Sequence, residues 1–245
     1  MDSGYYAAVA GLAAQTQALE LVAHNISNLA TTGYRGQQTT FRSLLSGSSG
    51  AVSANGLNAA INDFGVLSGS RLDLAPTNLV ATGNPLDVGV GGSGFLEVQH
   101  AQDVVYTRAG DFHLTATGQL VSSQGNAVLG ELGPVILPTG NVTISSDGTI
   151  SVNGAVVDRL RLAEFSPATN LTALGDATYT APAGSALIAA GSTVHQGALE
   201  GSNVSPTEGV VQLITVQRST DMLARALTAL DGSLNQIAAQ DLPKV

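Results

Sequence analysis

Residues 5–30 read YYAAVAGLAAQTQALELVAHNISNLA. Apolar or small side chains recur at Tyr5, Val9, Leu12, Thr16, Leu19, Ala23, Ile26 and Ala30, at intervals alternating four and three. That spacing is the seam period of a coiled coil. Glu20 is the one Asp, Glu, Lys or Arg in the stretch. An ordinary amphipathic surface helix has a charged outer face. Here Gln, Asn, Thr and Ala stand in its place, which predicts contact on more than one side. Asp2 or Ser3 can cap the start, and Gly33 follows the end as a stop signal.

The other end of the chain has the same character. Ser205-Pro206-Thr207-Glu208 reads as a capping box with Pro at the first helical position. A second seam follows at Leu213, Val216, Thr220, Leu223, Leu227, Leu230, Leu234 and Ile237. Neither helix can bury its stripe alone in water. Each stripe can pack on the protein's own β core, or the two ends can pair with each other and with further copies.

The middle of the chain changes period. Residues 36–75 are rich in Gly, Ser and Asn, with Ser46-Gly47-Ser48-Ser49-Gly50 the most flexible part. They read as a connector with little regular structure, and its length implies packing partners of its own. From residue 76 to 205 the pattern is short strands and turns. Phe95 to Val98, Val104 to Tyr106 and Leu160 to Phe165 read as strands. Val142-Thr143-Ile144, Thr149 to Val152 and Ala155 to Val157 are joined by Asp147-Gly148 and Asn153-Gly154. Asp-Gly and Asn-Gly between alternating runs are the strongest short hairpin signals. The expected fold class is α+β. Long coiled-coil-forming helices over 1–35 and 206–245 pair as one discontinuous domain, 36–75 connects, and 76–205 is an inserted all-β domain.

Composition narrows the function. Charged residues are 11% of the 245, against roughly 25% in an ordinary soluble domain. A surface so poor in charge is either polar or covered by neighbours, and the second reading points to an assembly. The net charge is −9 and the one Lys is Lys244. This argues against nucleic acid, whose binding rests on Lys and Arg contacts to phosphate, and against a polybasic membrane patch. Cysteine is absent, which removes disulfides, thiolate catalysis and Cys-ligated zinc. No apolar run reaches the roughly 18 residues of a membrane helix. The first Lys or Arg is Arg35, so no basic n-region precedes an apolar run, and a cleaved secretory signal is not expected.

Candidate chemistry is sparse. Gly89, Gly91 and Gly94 match G-x-G-x-x-G. A dinucleotide loop needs a helix immediately afterwards, whereas Phe95-Leu96-Glu97-Val98 is strand-like, so a glycine turn into a strand is expected. His24, His100, His113 and His195 are far apart and suggest no metal site. Asp111 and His113 could pair on one strand face, but a hydrolytic triad also needs a placed Ser. No catalytic residue, cofactor or metal site is expected.

Several segments together resemble the flagellar basal-body rod protein family, which includes the rod and hook proteins. His24 to Arg35, HNISNLATTGYR, is similar to its N-terminal signature, an Asn-rich helix end followed by Thr-x-Gly-Phe/Tyr and a basic residue. Thr82 to Val88 leading into Gly94 to Gln99, Tyr106 to Phe112 leading into Thr117 to Val121, and Gln196 to Val204 also match, in family order. Gly130 to Val135, Pro138 and Ile144 to Ile150 look most like the F-type proximal-rod member. Gln217-Arg218 is kept from the distal-rod pattern, but Ser219 and Thr220 then depart from it.

The resemblance implies a structural rod subunit that polymerises through its ends and transmits torque across the periplasm. It also implies copies of itself and other rod subunits as partners, and passage through the flagellar type III export apparatus without a cleaved signal. Expected assembly residues are Leu12, Leu19, Ile26, Asn28, Leu213, Leu223, Leu227, Leu230 and Leu234. A distal-rod subunit is the nearest alternative. A β-rich surface protein or a carbohydrate-active enzyme is more remote, the latter needing converging carboxylates.

Overall fold

The computed structural model describes residues 2–42, 66–166, 169–189 and 191–241. The chain divides into two units. The first comprises Met1–Ile26, Gln37–Arg71 and Pro206–Val245. It carries helix α1 (Asp2–Ser27), strands β1 (Gln37–Arg42) and β2 (Val66–Leu72), and helix α2 (Pro206–Asp241). β1 and β2 form a two-stranded sheet, so both ends of the expected connector are strand. Its most glycine-rich part, Ser46 to Gly50, lies outside the described residues. Asn25 holds the start of β1: its Nδ2 donates to the Gln37 carbonyl at 2.8 Å, and its Oδ1 accepts from the Gln37 N–H at 2.9 Å.

The expected coiled-coil pairing of the ends is corrected by the structure, which shows, among the described residues, two helices in a chain dominated by antiparallel strands, and no coiled coil. The buried face of α1 is Gly11, Ala14, Ala18 and Val22. That stripe lies roughly 100° around the helix from the expected seam, about one residue step. Thr16 and Ala23 of that seam are exposed, and Leu12, Leu19 and Ile26 are only half-buried. The physical reason is lack of contrast. Where nearly every position is Ala or aliphatic, a four-three spacing can be traced along several stripes, and burial has selected the smallest side chains. α2 comes against α1 at Gly209, where an added Cβ would stand 3.1 Å from Ile26 Cγ1.

The second unit comprises Ser27–Gly36 and Leu72–Ser205. Its first strands are β3 (Leu79–Ala81), β4 (Val88–Gly91), β5 (Phe95–His100), β6 (Asp103–Thr107), β7 (Phe112–Leu114), β8 (Leu120–Ser122), β9 (Ala127–Gly130) and β10 (Gly133–Pro134). Then come β11 (Val142–Ile144), β12 (Thr149–Val152), β13 (Ala155–Arg159), β14 (Leu162–Phe165), β15 (Thr172–Gly175), β16 (Thr178–Thr180), β17 (Ala186–Ile188), β18 (Thr193–Gln196) and β19 (Ala198–Glu200). The main sheet runs β15-β16-β6-β5-β9-β8-β7, with β10 on β9, and with β14 joining β5 to β17. β11-β12-β13 form a meander, β18 pairs with β4, and β19 with β3.

The meander follows directly from its turns. Asn153 and Gly154 both have positive φ (51° and 83°), as a two-residue hairpin requires, and they close Val152 onto Ala155. Strand alternation then sends Val142, Ile144, Ile150 and Val152 inward, where they join Val88, Leu96, Val98, Val105, Phe112 and Val128 in the main core. A second cluster holds Leu72, Phe95, Phe165, Leu171 and Tyr179. Ile150 has no exposed surface. Ile150→Ala is expected to lower the unfolding free energy by about 2–5 kcal/mol, through lost burial and a residual cavity. Urea titration followed by circular dichroism at strand wavelengths measures this.

Candidate assembly residues and a buried ion node

On α1, the expected assembly residues Leu12, Leu19 and Ile26 are half-buried. On α2, Leu213, Leu223 and Leu227 share one half-buried stripe with Val216 and Thr220. Val210, Val211, Ile214 and Met222 on the same helix are exposed. The side chains of Leu230 and Leu234 lie outside the described residues. Asn28 sits in the turn after α1, where its Oδ1 accepts from the Thr31 hydroxyl at 3.1 Å and its carbonyl from the Thr31 N–H at 3.2 Å. It thus closes the helix end within the chain.

The most concentrated chemistry lies elsewhere, among the segments that carried the resemblance. Gly33 has φ 66°, and a Cβ there would stand 2.2 Å from the Ala109 nitrogen and from the Arg108 carbonyl carbon. Only glycine allows that approach. Its N–H donates to the Glu200 carbonyl at 2.8 Å. Two residues on, Arg35 enters the interior with no exposed surface, and its Nη2 donates to Glu200 Oε1 in a short contact. Arg108, at the end of β6, reaches the same carboxylate from another side, Nη1 lying 3.0 Å from Oε2. Arg108 Nη2 donates to the Gly92 carbonyl at 2.8 Å, and its guanidinium carbon stands 4.8 Å from the Phe95 ring centre. Glu200, closing β19, also accepts from the Thr77 N–H at 2.8 Å. The Tyr179 hydroxyl accepts from the Arg35 N–H at 2.8 Å.

Two fully buried guanidinium groups thus share one carboxylate and leave a surplus of one positive charge. Burial alone pushes the Glu200 carboxyl up, but Arg35, the Thr77 N–H and Arg108 outweigh it and hold the group below the usual carboxylate range. Burial lowers the Arg108 guanidinium against the pull of Glu200. Burial also raises the Tyr34 phenol to about 12. Around the node, Asn203 laces the neighbouring backbone. Its Oδ1 accepts from the Gly36 N–H at 2.6 Å and its Nδ2 donates to the Asp73 carbonyl at 2.8 Å, while the Asp73 N–H donates to the Gly36 carbonyl at 2.8 Å. Residues 33–36, 73–77 and 200–203 are therefore one bonded cluster within the second unit.

Sequence reasoning did not single out Arg35, Arg108 or Glu200. The available signal was that each lies inside a matching segment of a chain with only nine basic residues. The G-x-G-x-x-G stretch serves this cluster: Gly89 and Gly91 lie on β4, which pairs with β18, and Gly92 offers its carbonyl to Arg108. A strand follows it, not a helix. Asp111 and His113 do not form a dyad, since Asp111 Oδ1 is buried without a hydrogen-bond partner and His113 is exposed. Among the described residues, no group of three His, Asp or Glu could hold a metal ion, and no helix is long and apolar enough to cross a membrane.

Removing one partner from a buried ion cluster costs about 3–5 kcal/mol, because uncompensated charge remains. Glu200→Gln is expected to lose that amount at pH 7. Since the folded pKa of Glu200 is depressed, its contribution is full above its unfolded value near 4.5 and fades as pH falls through the folded one. Urea titrations of wild type and variant should therefore converge as pH drops below 4.5.

The family model described as flagella basal body rod protein matches residues 6–35. The flagellar hook protein FlgE/F/G D1 domain model matches residues 89–152, and the flagellar basal body rod FlgEFG protein C-terminal model matches residues 195–240. Flagellar basal-body rod protein FlgF of Salmonella typhimurium is 34% identical, over 97% of this chain and 98% of its own length. FlgF of Escherichia coli is 33% identical over 97% and 98%, and flagellar basal-body rod protein FlgG of Agrobacterium fabrum is 31% identical over 91% and 94%. Arg35 and Glu200 fall in the first and last of the three matched regions, and Arg108 in the middle one. Full-length similarity, with all three regions in order, means that the chain belongs to the flagellar basal-body rod protein family.

Proposed function

We propose that this structural rod subunit is the F-type, proximal-rod member, placed in the periplasmic part of the basal body and delivered through the flagellar type III export apparatus. The observation that carries the reading is similarity to FlgF relatives at 34% and 33% identity over nearly the whole chain. Ser219 and Thr220, which depart from the distal-rod pattern, support it. The FlgG relative at 31% identity supports the distal-rod reading as the second one. Restoring motility separately to an flgF-type and an flgG-type deletion strain separates them: the F reading requires rescue of the first and not of the second.

In this reading, copies of the chain and other rod subunits meet through the helical unit, and the β-rich unit makes further contacts with its neighbours. The chain carries load and performs no catalysis. Leu12, Leu19, Ile26 and Asn28 on the N-terminal side, with Leu213, Leu223, Leu227, Leu230 and Leu234 on α2, are the assembly residues. The half-burial of Leu213, Leu223 and Leu227 supports that role, since a stripe only partly covered within one chain has apolar area left to bury against another. The low charge of α1 supports it as well. Contacts between copies that do not close into a ring build open helical filaments, and torque passes along such a filament through packed side chains.

Leu227→Asp places a carboxylate on that stripe. Incorporation into isolated basal bodies should be lost, while thermal unfolding of the β-rich unit stays within about 0.5 kcal/mol of wild type, as for a change remote from that core. Normal incorporation of the variant would remove α2 from the assembly surface.

A further inference from the structure

We infer that the buried node binds one small monovalent anion of the halide class, held by the N–H groups of Arg35 and Arg108 that Glu200 does not use.

Neither the charges nor the hydrogen bonds of the node balance. Arg35, Arg108 and Glu200 have no exposed surface. Among the described residues, Glu200 is the one carboxylate within ion-pair distance of either guanidinium. Two positive charges therefore face one negative charge. The donors show the same imbalance. Arg35 Nη2 is taken by Glu200, while its Nε and Nη1 are buried without a hydrogen-bond partner among the described residues. Arg108 Nη1 is taken by Glu200 and Nη2 by the Gly92 carbonyl, while its Nε is buried without one. Buried donors are seldom left unmet, and a cluster of them calls for an occupant.

The groups around the node do not supply the missing negative charge. Burial pushes the Tyr34 phenol up to about 12 and holds the Tyr179 phenol well above its ordinary value, so both are neutral at pH 7. The Phe95 ring face, 4.8 Å from the Arg108 guanidinium carbon, offers a partial charge only. A water molecule accepts from one or two N–H groups, but it cancels no charge, and uncompensated buried charge is the costly element. One charge is missing, so a monovalent ion balances the node, whereas a divalent phosphate or sulfate over-corrects it. A halide is a sphere that accepts N–H groups from any direction. A carboxylate or nitrate brings further oxygens, each needing donors of its own in a dry interior. The site stands whether the chain is a proximal or a distal rod subunit.

The test uses the full-length protein with bromide as the probe. Replacing sodium gluconate by sodium bromide at about 50 mM and constant ionic strength should raise the thermal midpoint of wild type by about 2–4 °C. In crystals grown with bromide, an anomalous peak should lie against a guanidinium nitrogen of Arg35 or Arg108. The inference requires both results. A midpoint indifferent to bromide, even with a peak at the node, means an adventitious ion only and overturns it. A peak elsewhere, or water alone at the node, overturns it as well. Arg35→Met removes the surplus charge and should abolish the bromide response; a variant that keeps it assigns the shift to another site and overturns the inference. If Arg35→Met does not fold, the two wild-type measurements decide.

Discussion

Two guanidinium groups closing on one buried carboxylate set the geometry on which the second unit depends. Glu200 has no exposed surface, so its charge survives only because every approach to it is taken by a donor. Those donors come from widely separated parts of the chain: Arg35 is 165 residues away and Arg108 is 92. Satisfying one carboxylate therefore fixes where the chain after α1 must run, where β6 must end and how β19 must deliver its last residue. Ionic pairing of this kind is weak evidence for net stability, because desolvation offsets much of the attraction. What it supplies is selection: an arrangement that omits Glu200 leaves two unpaired guanidinium groups in a dry interior. Asn203 extends the same logic to neutral groups by satisfying backbone on two neighbouring segments with one side chain.

Local structure was legible in the sequence wherever a turn enforced it. Asp147-Gly148 and Asn153-Gly154 left one hairpin geometry for residues 142–159, and β11, β12 and β13 pair in that order. The order of the main sheet was not legible. β14 lies beside β5, and β16 beside β6, through contacts across long stretches of chain that no local period encodes. The node was hidden for the same reason. Arg35, Arg108 and Glu200 each look like an ordinary surface charge within its own segment, and only the fold makes them partners.

α1 shows the opposite failure, a pattern too easily found. Its seam was traced along Leu12, Leu19 and Ile26, but the buried stripe is Gly11, Ala14, Ala18 and Val22. Periodicity identifies a face only when the other faces are polar, and here almost no position votes against. On α2 the contrast is sharper, since Glu208, Arg218, Asp221 and Arg225 mark what must stay wet. There Leu213, Val216, Thr220, Leu223 and Leu227 do lie together on one half-buried stripe. Residue size explains the difference in how closely each helix can be approached: Gly and Ala admit a neighbouring backbone, whereas a leucine stripe holds it off at side-chain distance.

A structural rod subunit must also keep its chain connections from acting as independent tethers. The chain passes between the two units at residues 26–27, 36–37, 71–72 and 205–206. Gly36, Asp73 and Asn203, each within three residues of such a passage, are hydrogen-bonded to one another. Tension on one connecting segment is therefore shared with the others through short, directional bonds before any strand is pulled from the sheet. The buried node beside them resists shear for a related reason. Sliding Arg35 out would break its contact with Glu200 and its N–H bond to the Tyr179 hydroxyl together, so the cost rises at the first displacement. A hydrophobic patch of equal area would yield gradually, because its attraction has no direction. Arg35, Arg108 and Glu200, the charged residues with no exposed surface among those described, all belong to this node.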